Sequence, residues 1–112
     1  MIRLKAAKIA EIVDGILNVD GTKEVWLAPV FDSRKAVAGT FFLALKGEKA
    51  DGHDFAQSAI DNGAVFALVS REIAADNILV DDVLLALGKL AAYVREQLPE
   101  LTAVSYTHLR AH

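Results

Sequence analysis

The stretch LALKGEKADGHDFAQSAIDNGA, residues 43–64, decides how the chain is expected to fold. It begins inside a continuously apolar run over 41–45, which is typical of a strand covered on both faces of a sheet. The run ends at Lys46, and a mostly polar connection with two glycines follows before a helical pattern at about 54–62. The segment 46–54 is therefore predicted to join a buried strand to a helix.

The predicted helix over 54–62 has recognisable ends and an apolar side. Asp54, or His53 before it, can cap its first turn, and Gly63 follows as the C-terminal stop. The residues expected on its inner face are Phe55, Ala59 and Ile60.

Strands and helices alternate along the rest of the chain. Further helices are predicted over 4–14 and 83–98, and further strands near 16–20, 64–70 and 77–80, with a run over 24–34 that Pro29 assigns to an edge or a bulge. The predicted inner face of the last helix consists of Val83, Leu84, Leu87, Leu90, Ala91, Val94 and Leu98, and Pro99 ends it. This alternation predicts an α/β fold with a mixed or mostly parallel sheet.

Composition excludes several classes of protein. A chain of 112 residues suits one domain, and 54% hydrophobic with 24% charged residues is ordinary for a folded one. The net charge is −3 and the basic residues are scattered, which argues against a nucleic-acid surface. The absence of cysteine excludes disulfides and thiolate metal sites. No apolar run is long enough to span a membrane and the N-terminus lacks a signal-peptide pattern, so a cytoplasmic location is expected.

The polar connection is a candidate ligand loop, because open α/β sheets bind ligands where strands end and helices begin. Lys46, Lys49 and His53 could meet an anion, while Gly47 and Gly52 would allow close backbone approach. The alternative is a solvated loop whose glycines only make turns.

A second polar segment, DSRK at 32–35, carries the hydroxyl of Ser33 and the guanidinium of Arg34. This pair suits uracil, ribose or phosphate. Taken alone, the segment could equally be an ordinary turn with a surface ion pair.

Together the two polar segments resemble the N-terminal domain of the Mur ligases. The matching motifs are DSR at 32–34, LKGE at 45–48, DGHDF at 51–55 and Gly-Ala at 63–64, and the resemblance covers about residues 8–104. LKGE and HDF favour the MurF-type branch, which adds D-alanyl-D-alanine to UDP-N-acetylmuramoyl-tripeptide; the MurE-type branch shares DSR and DG. The sequence departs from the family at Ala38, where proline is usual, and at Phe41, where leucine is usual.

The resemblance implies a single three-layer α/β domain that holds the UDP end of a UDP-N-acetylmuramoyl-peptide. Phe31 and Ser33 would flank the uracil, and Glu48, Lys49 and Ala50 would lie along a loop that closes over the nucleotide. The other residues implied at the site, as supporting side chains or backbone geometry, are Arg34, Lys46, Gly47, Asp51, Gly52 and His53.

The chemistry that the resemblance implies needs ATP, Mg²⁺ and a Gly-x-x-Gly-Lys-Thr loop. This chain contains neither Gly-Lys-Thr nor Gly-Lys-Ser. The resemblance thus implies that the full-length parent is the ATP-dependent ligase of bacterial cell-wall synthesis and that its ATP-binding loop lies outside this chain. The fragment is expected to be an inactive monomer with no catalytic residue, metal or cofactor of its own.

The last residues, 103–112, have a different character. SYTHLRAH resembles the in-frame translation of a sequencing adaptor, so the domain is expected to cover 1–102 and to be followed by a non-native tail. His108 and His112 have the spacing of a metal pair but form only a partial ligand set.

Two alternatives to a MurF-type domain remain: the corresponding domain of a MurE-type ligase, and a stand-alone UDP-sugar-binding module without catalysis.

Overall fold

The computed structural model describes residues 3–46 and 51–97. Its elements are β1 (Leu4–Lys5), α1 (Ala6–Val13), β2 (Ile16–Asn18), β3 (Glu24–Val25), β4 (Phe42–Leu43), α2 (Ala56–Asp61), β5 (Ala67–Val69), β6 (Asn77–Leu79) and α3 (Val83–Glu96). Two short 3₁₀ helices complete the list: Ser33–Lys35, here named the first 3₁₀ turn, and Gly52–Phe55, the second 3₁₀ turn.

The main sheet has four strands in the order β2-β6-β5-β4. β4 and β6 both run parallel to β5, whereas β2 runs antiparallel to β6. The predicted mixed, mostly parallel sheet is therefore confirmed. β1 and β3 form a separate antiparallel pair.

Helices cover both faces of the main sheet, which gives three layers. On one face, α1 and α3 pack over a core that includes Ile9, Phe41, Phe66 and Leu90. The rings of Phe41 and Phe66 stack there with their centroids 5.0 Å apart. On the other face, α2 packs over a smaller core whose buried members among the described residues are Ala36, Phe42, Ala44, Ala56, Ala59, Ala64, Ala67 and Val69. The adjacent β4 residues Phe42 and Leu43 belong to the second and the first core, respectively. Their side chains therefore point to opposite faces of the sheet, as the strand pleat requires.

The start of the second helix differs from the prediction. The second 3₁₀ turn precedes α2, and its cap is Asp51, whose carboxylate accepts a hydrogen bond from the backbone N–H of His53 at 3.0 Å. Phe55, predicted to face inward, is 45% exposed, whereas Ala56 is buried. The reason is that a 3₁₀ turn has three residues per turn, so inward positions shift relative to an α-helix. The predicted stop at Gly63 is confirmed, with φ of 124°.

The last helix buries a narrower stripe than its sequence predicts. Asp82 caps α3 by accepting a hydrogen bond from the N–H of Leu85 at 3.0 Å. Val83, Ala86 and Leu90 are buried, but Leu84 is 63% exposed and its predicted inward position is wrong. One face of a helix can reach the sheet, and Leu84 lies about 100° around the axis from Val83. The predicted end, Leu98 with Pro99, lies outside the described residues.

Pro29 interrupts the chain between two pairings, as predicted for an edge. β3 ends at Val25, and Val30 then forms an isolated parallel bridge with Phe42 at the outer side of β4. The N–H of Val30 donates to the carbonyl of Phe41 at 3.0 Å, and the N–H of Leu43 donates to the carbonyl of Val30 at 2.8 Å. This pairing brings residues 31–34 alongside the edge strand of the main sheet.

No helix within 3–46 and 51–97 is long and apolar enough to cross a membrane.

Candidate functional site

A groove of about 670 Å³ lies between the first 3₁₀ turn and α2, on the α2 side of the main sheet. It is lined by Phe31, Asp32, Ser33, Arg34, Phe42, Gly52, Phe55, Ser58 and Asn62. The groove therefore combines two exposed aromatic rings with hydroxyl, amide, carboxylate and guanidinium groups.

The first wall of the groove is held by Asp32 and by α2. The Asp32 carboxylate accepts from the backbone N–H of Arg34 at 3.0 Å, and it pairs with the guanidinium of the same residue at 3.0 and 3.1 Å. These hydrogen bonds from Arg34 lower the pKa of Asp32 and raise that of Arg34. The side-chain amide of Asn62, at the end of α2, donates to the carbonyl of Ser33 at 3.0 Å. Phe31 projects outward from this wall and is 73% exposed.

The second wall consists of the second 3₁₀ turn and the outer side of α2. The N–H of Gly52 donates to the carbonyl of Leu45 at 2.7 Å, which seats the turn on the end of β4. A Cβ on Gly52 would lie only 2.6 Å from the backbone nitrogen of Leu45, so this close approach requires glycine. Phe55, Ser58 and Asn62 continue the wall along the helix.

His53 lies behind this second wall, with a side chain that is only 4% exposed. Its Nδ1 is 2.5 Å from Oδ1 of Asp51, and its Nε2 accepts a hydrogen bond from the backbone N–H of Ser70 at 3.0 Å. Ser70 directly follows β5. Both ring nitrogens are therefore occupied by the protein itself.

Arg71 adds positive charge to the outer side of the same cluster. Its Nη2 is 3.3 Å from Oδ2 of Asp51 and 3.3 Å from Oδ1 of Asp54. The pKa of Asp51 is lowered, chiefly because its carboxylate accepts from the backbone N–H and the side chain of His53, with a smaller contribution from the charge of Arg71.

The predicted site residues separate into distinct places. Phe31, Ser33, Arg34 and Gly52 line the groove. Asp51 and His53 support its second wall from behind. Lys46 pairs with Asp51 in an isolated antiparallel bridge and lines a different cavity, of about 250 Å³, with Ala44, Leu45, Ser70, Asp81, Asp82, Val83 and Leu84. The predicted loop residues Gly47, Glu48, Lys49 and Ala50 lie outside the described residues.

Sequence reasoning missed Phe55, Ser58 and Asn62 as groove residues. Ser58 and Asn62 are four residues apart on the polar side of α2, a spacing that places two side chains on one helix face. That signal was present in the sequence. The helical pattern of the sequence assigns Phe55 to the inner face, whereas the second 3₁₀ turn directs it to the groove.

Within 3–46 and 51–97, no group of three His, Asp or Glu side chains is placed to hold a metal ion. The sequences Gly-Lys-Thr and Gly-Lys-Ser do not occur in the chain.

Known proteins match this chain in both sequence and structure. The family model described as "Mur ligase family, catalytic domain" matches residues 30–109. The UDP-N-acetylmuramoyl-tripeptide–D-alanyl-D-alanine ligase of Escherichia coli (strain K12) is 42% identical over 101 residues, which are 88% of this chain and 22% of that protein. The protein of the same name from Bacillus subtilis (strain 168) is 39% identical over 103 residues, 86% of this chain and 22% of that protein.

Solved structures agree with these sequence matches. Crystal structure I of MurF from Acinetobacter baumannii matches with a TM-score of 0.74 and 37% identity, covering 85% of this chain and 22% of that chain. The MurF ligase from Thermotoga maritima in complex with ADP matches with a TM-score of 0.52 and 32% identity, covering 65% of this chain and 17% of that chain.

The chain thus spans about a fifth of the length of the curated relatives that it matches. The resemblance carried by the two polar segments is confirmed by a family model that covers most of the chain and by relatives that carry the MurF name. The chain belongs to the Mur ligase family.

Proposed function

We propose that this chain is the nucleotide-binding portion of a MurF-type ligase and that its groove holds the UDP end of a UDP-N-acetylmuramoyl-peptide. The observation that carries the proposal is the convergence of Phe31, Ser33 and Arg34 with Phe55 and Asn62 around one groove. The two segments contributing these residues are those that match the family motifs, although they are separated in the sequence.

The aromatic groups of the groove suit a planar base. Phe31 and Phe55 are 73% and 45% exposed, and a stacked ring would remove their apolar surface from water. Stacking of one base on an aromatic side chain contributes about 1–3 kcal/mol. We accordingly infer that uracil would stack against these rings.

The polar groups of the groove suit the rest of a uridine nucleotide. The hydroxyls of Ser33 and Ser58 can donate and accept, and the Asn62 amide already donates to the Ser33 carbonyl while its oxygen can accept. Arg34 is exposed and pairs with Asp32 through Nε and one terminal nitrogen, which leaves N–H groups for a diphosphate. In this proposal Asp51 and His53 support the groove from behind. Lys46 and the predicted loop residues contribute to binding beside it.

The whole parent, in this proposal, joins D-alanyl-D-alanine to UDP-N-acetylmuramoyl-tripeptide with ATP and Mg²⁺ bound by parts outside this chain. A solved relative in complex with ADP supports the use of adenine nucleotide. The parent would act in the bacterial cytoplasm as a monomer. Residues 1–102 would form the UDP-binding domain, inactive alone, and 103–112 would be a non-native tail.

The binding proposal is tested by adding UDP to the ¹⁵N-labelled chain and following its amide resonances, with ADP as the matched control nucleotide. UDP at millimolar concentration is expected to shift amides at 31–34 and 52–62, and ADP is not. The Phe31→Ala variant should bind UDP about tenfold more weakly, since one stacking contact is lost. Leu85→Ala, a change at a 61% exposed position of α3 that lines neither cavity, should leave the affinity unchanged.

The proposal fails if UDP shifts no resonance, if ADP gives the same pattern, or if the shifts lie over α1 and α3 instead. The ligase assignment is tested separately, by sequencing the source locus beyond codon 102 from unfragmented DNA. A downstream Gly-Lys-Thr loop supports it. A stop codon directly after His112 favours a stand-alone UDP-sugar-binding module.

A further inference from the structure

We propose that His53 is a positioning residue of the groove: its imidazole ties the second 3₁₀ turn to the end of β5 and so holds Gly52 and Phe55 in the groove wall. This inference rests on the proposed function, which supplies the ligand of the groove. It also replaces the expectation that His53 supports the nucleotide directly.

The hydrogen bonds around the ring select one protonation form. The backbone N–H of Ser70 can only donate, so Nε2 of His53 must accept and carries no proton. The proton of the neutral ring then lies on Nδ1, which donates to Oδ1 of Asp51. The imidazole in this form bridges a carboxylate in the turn and a backbone group at the strand end.

The ring is placed to act through its neighbours and not on a ligand. Its side chain is 4% exposed and both nitrogens are engaged, so no donor or acceptor is directed into the groove. The adjacent Gly52 and, two residues further on, Phe55 do line the groove. A movement of the imidazole is therefore transmitted to the wall through the backbone.

The turn depends on such ties because it is a 3₁₀ helix of four residues, whose internal hydrogen-bond geometry is poorer than that of an α-helix. One tie is the hydrogen bond from Gly52 to Leu45 on the side of β4. Among the described residues, two contacts hold the turn on the side of β5: the buried hydrogen bond that the N–H of Ser70 donates to Nε2 of His53, and the ion pairs of Arg71 with Asp51 and Asp54. Arg71 is 55% exposed, so its pairs are weakened by solvent. The imidazole is thus the buried link to β5.

Three variants of the chain separate the two halves of this link. Glutamine at position 53 reaches far enough for its oxygen to replace Nε2 as the acceptor for Ser70. Asparagine is shorter and reproduces only the Nδ1 donor to Asp51. Alanine removes both. We expect the UDP affinity of His53→Gln to stay within about twofold of the wild-type chain, and that of His53→Asn and His53→Ala to fall about three- to tenfold, because both variants lose the hydrogen bond with the Ser70 N–H.

A control variant separates positioning from general destabilisation. Leu90→Ala removes a buried side chain from the α1–α3 core on the opposite face of the sheet. It should lower the melting temperature without changing UDP affinity, when binding is measured at a temperature where every variant is folded. Equal UDP affinity of the Asn and Gln variants, or wild-type affinity of the Ala variant, overturns the inference.

A measurement without ligand keeps the inference distinct from the proposed function. The Ser70 amide should exchange with deuterium slowly in the wild-type and His53→Gln chains and faster in His53→Asn, and so should the Gly52 amide, which donates to Leu45. If the wild-type chain binds no UDP, the proposed function fails, and these amides still decide whether His53 holds the wall. Identical exchange of both amides in the two variants refutes the link.

Discussion

Asp32 and Asp51 have the same local role in the two polar segments. Each carboxylate accepts from the backbone N–H two residues later, at 3.0 Å, and so starts a 3₁₀ turn. Each is then paired with a cation, Arg34 in one case and Arg71 in the other. In both segments the carboxylate therefore shapes the backbone, and neighbouring groups such as Ser33 and Phe55 line the groove.

Gly52→Ala is expected to destabilise the chain, because the added Cβ meets the backbone of Leu45 at 2.6 and 2.7 Å and the turn must move away from β4. The expected loss in free energy of unfolding is about 1–3 kcal/mol, measured by urea denaturation. Gly88→Ala is the matched control. Gly88 lies within α3 with open space around it, so alanine should raise stability by about 0.5–1 kcal/mol. Equal effects of the two substitutions would contradict the close packing at Gly52.

Asp51→Asn is expected to change the pH dependence of stability. The pKa of Asp51 is lowered in the folded chain by hydrogen bonds from His53, so the unfolded chain takes up this proton at a higher pH than the folded one. The resulting stabilisation is fully present above the unfolded pKa of about 4 and is lost as the pH falls through the folded pKa. The wild-type chain should therefore exceed the variant in free energy of unfolding at pH 7, and the difference should shrink below about pH 4.

Urea denaturation followed by circular dichroism, at neutral and at acidic pH, measures this difference. The control is Asp61→Asn, which removes one carboxylate from the end of α2. A pH profile common to both variants would reflect net charge alone. That result would remove the assigned role of the Asp51–His53 hydrogen bonds.

At the scale of the element, α3 shows how burial divides residues that look alike in the sequence. Leu90 is 2% exposed and packs over the main sheet, whereas Leu84 is 63% exposed. Leu90→Ala should lower the free energy of unfolding by about 2–5 kcal/mol. Leu84→Ala should change it by less than about 0.5 kcal/mol. Paired urea denaturation curves check this, and a comparable loss in both variants would place Leu84 in the core.

At the scale of the whole molecule, the topology brings together segments that lie far apart in the chain. Val30 pairs with β4, so residues 31–34 lie along the sheet edge and face α2 across the groove. Lys46, at the carboxyl end of β4, lines a separate cavity beside Ser70 and Asp82. Two described residues of the predicted ligand loop, Lys46 and Gly52, therefore line different cavities.

A chain that ends at residue 102 is expected to unfold at the same urea concentration as the full chain and to bind UDP equally well. The reason is that the described core residues lie between Leu4 and Leu90, and the described groove residues lie between Phe31 and Asn62. Denaturation and amide titration of both lengths provide the measurement. A lower midpoint for the shorter chain would show that 103–112 belongs to the folded domain.

The sequence by itself determined the α/β class, the family, and the order along the chain of the helices and of the strands in the main sheet, because these depend on periodicity, turn residues and motif spacing within short segments. It did not reveal β1, since Leu4–Lys5 lies inside the predicted helix. Only the tertiary structure decided that His53 faces Ser70, that Phe31 and Phe55 share one groove, and that Leu84 faces solvent. The physical reason is that these arrangements depend on residues distant in the chain, such as His53 and Ser70, whose residue numbers differ by 17. Their geometry follows from the strand order β2-β6-β5-β4 and from a 3₁₀ turn that changes which side chains point inward.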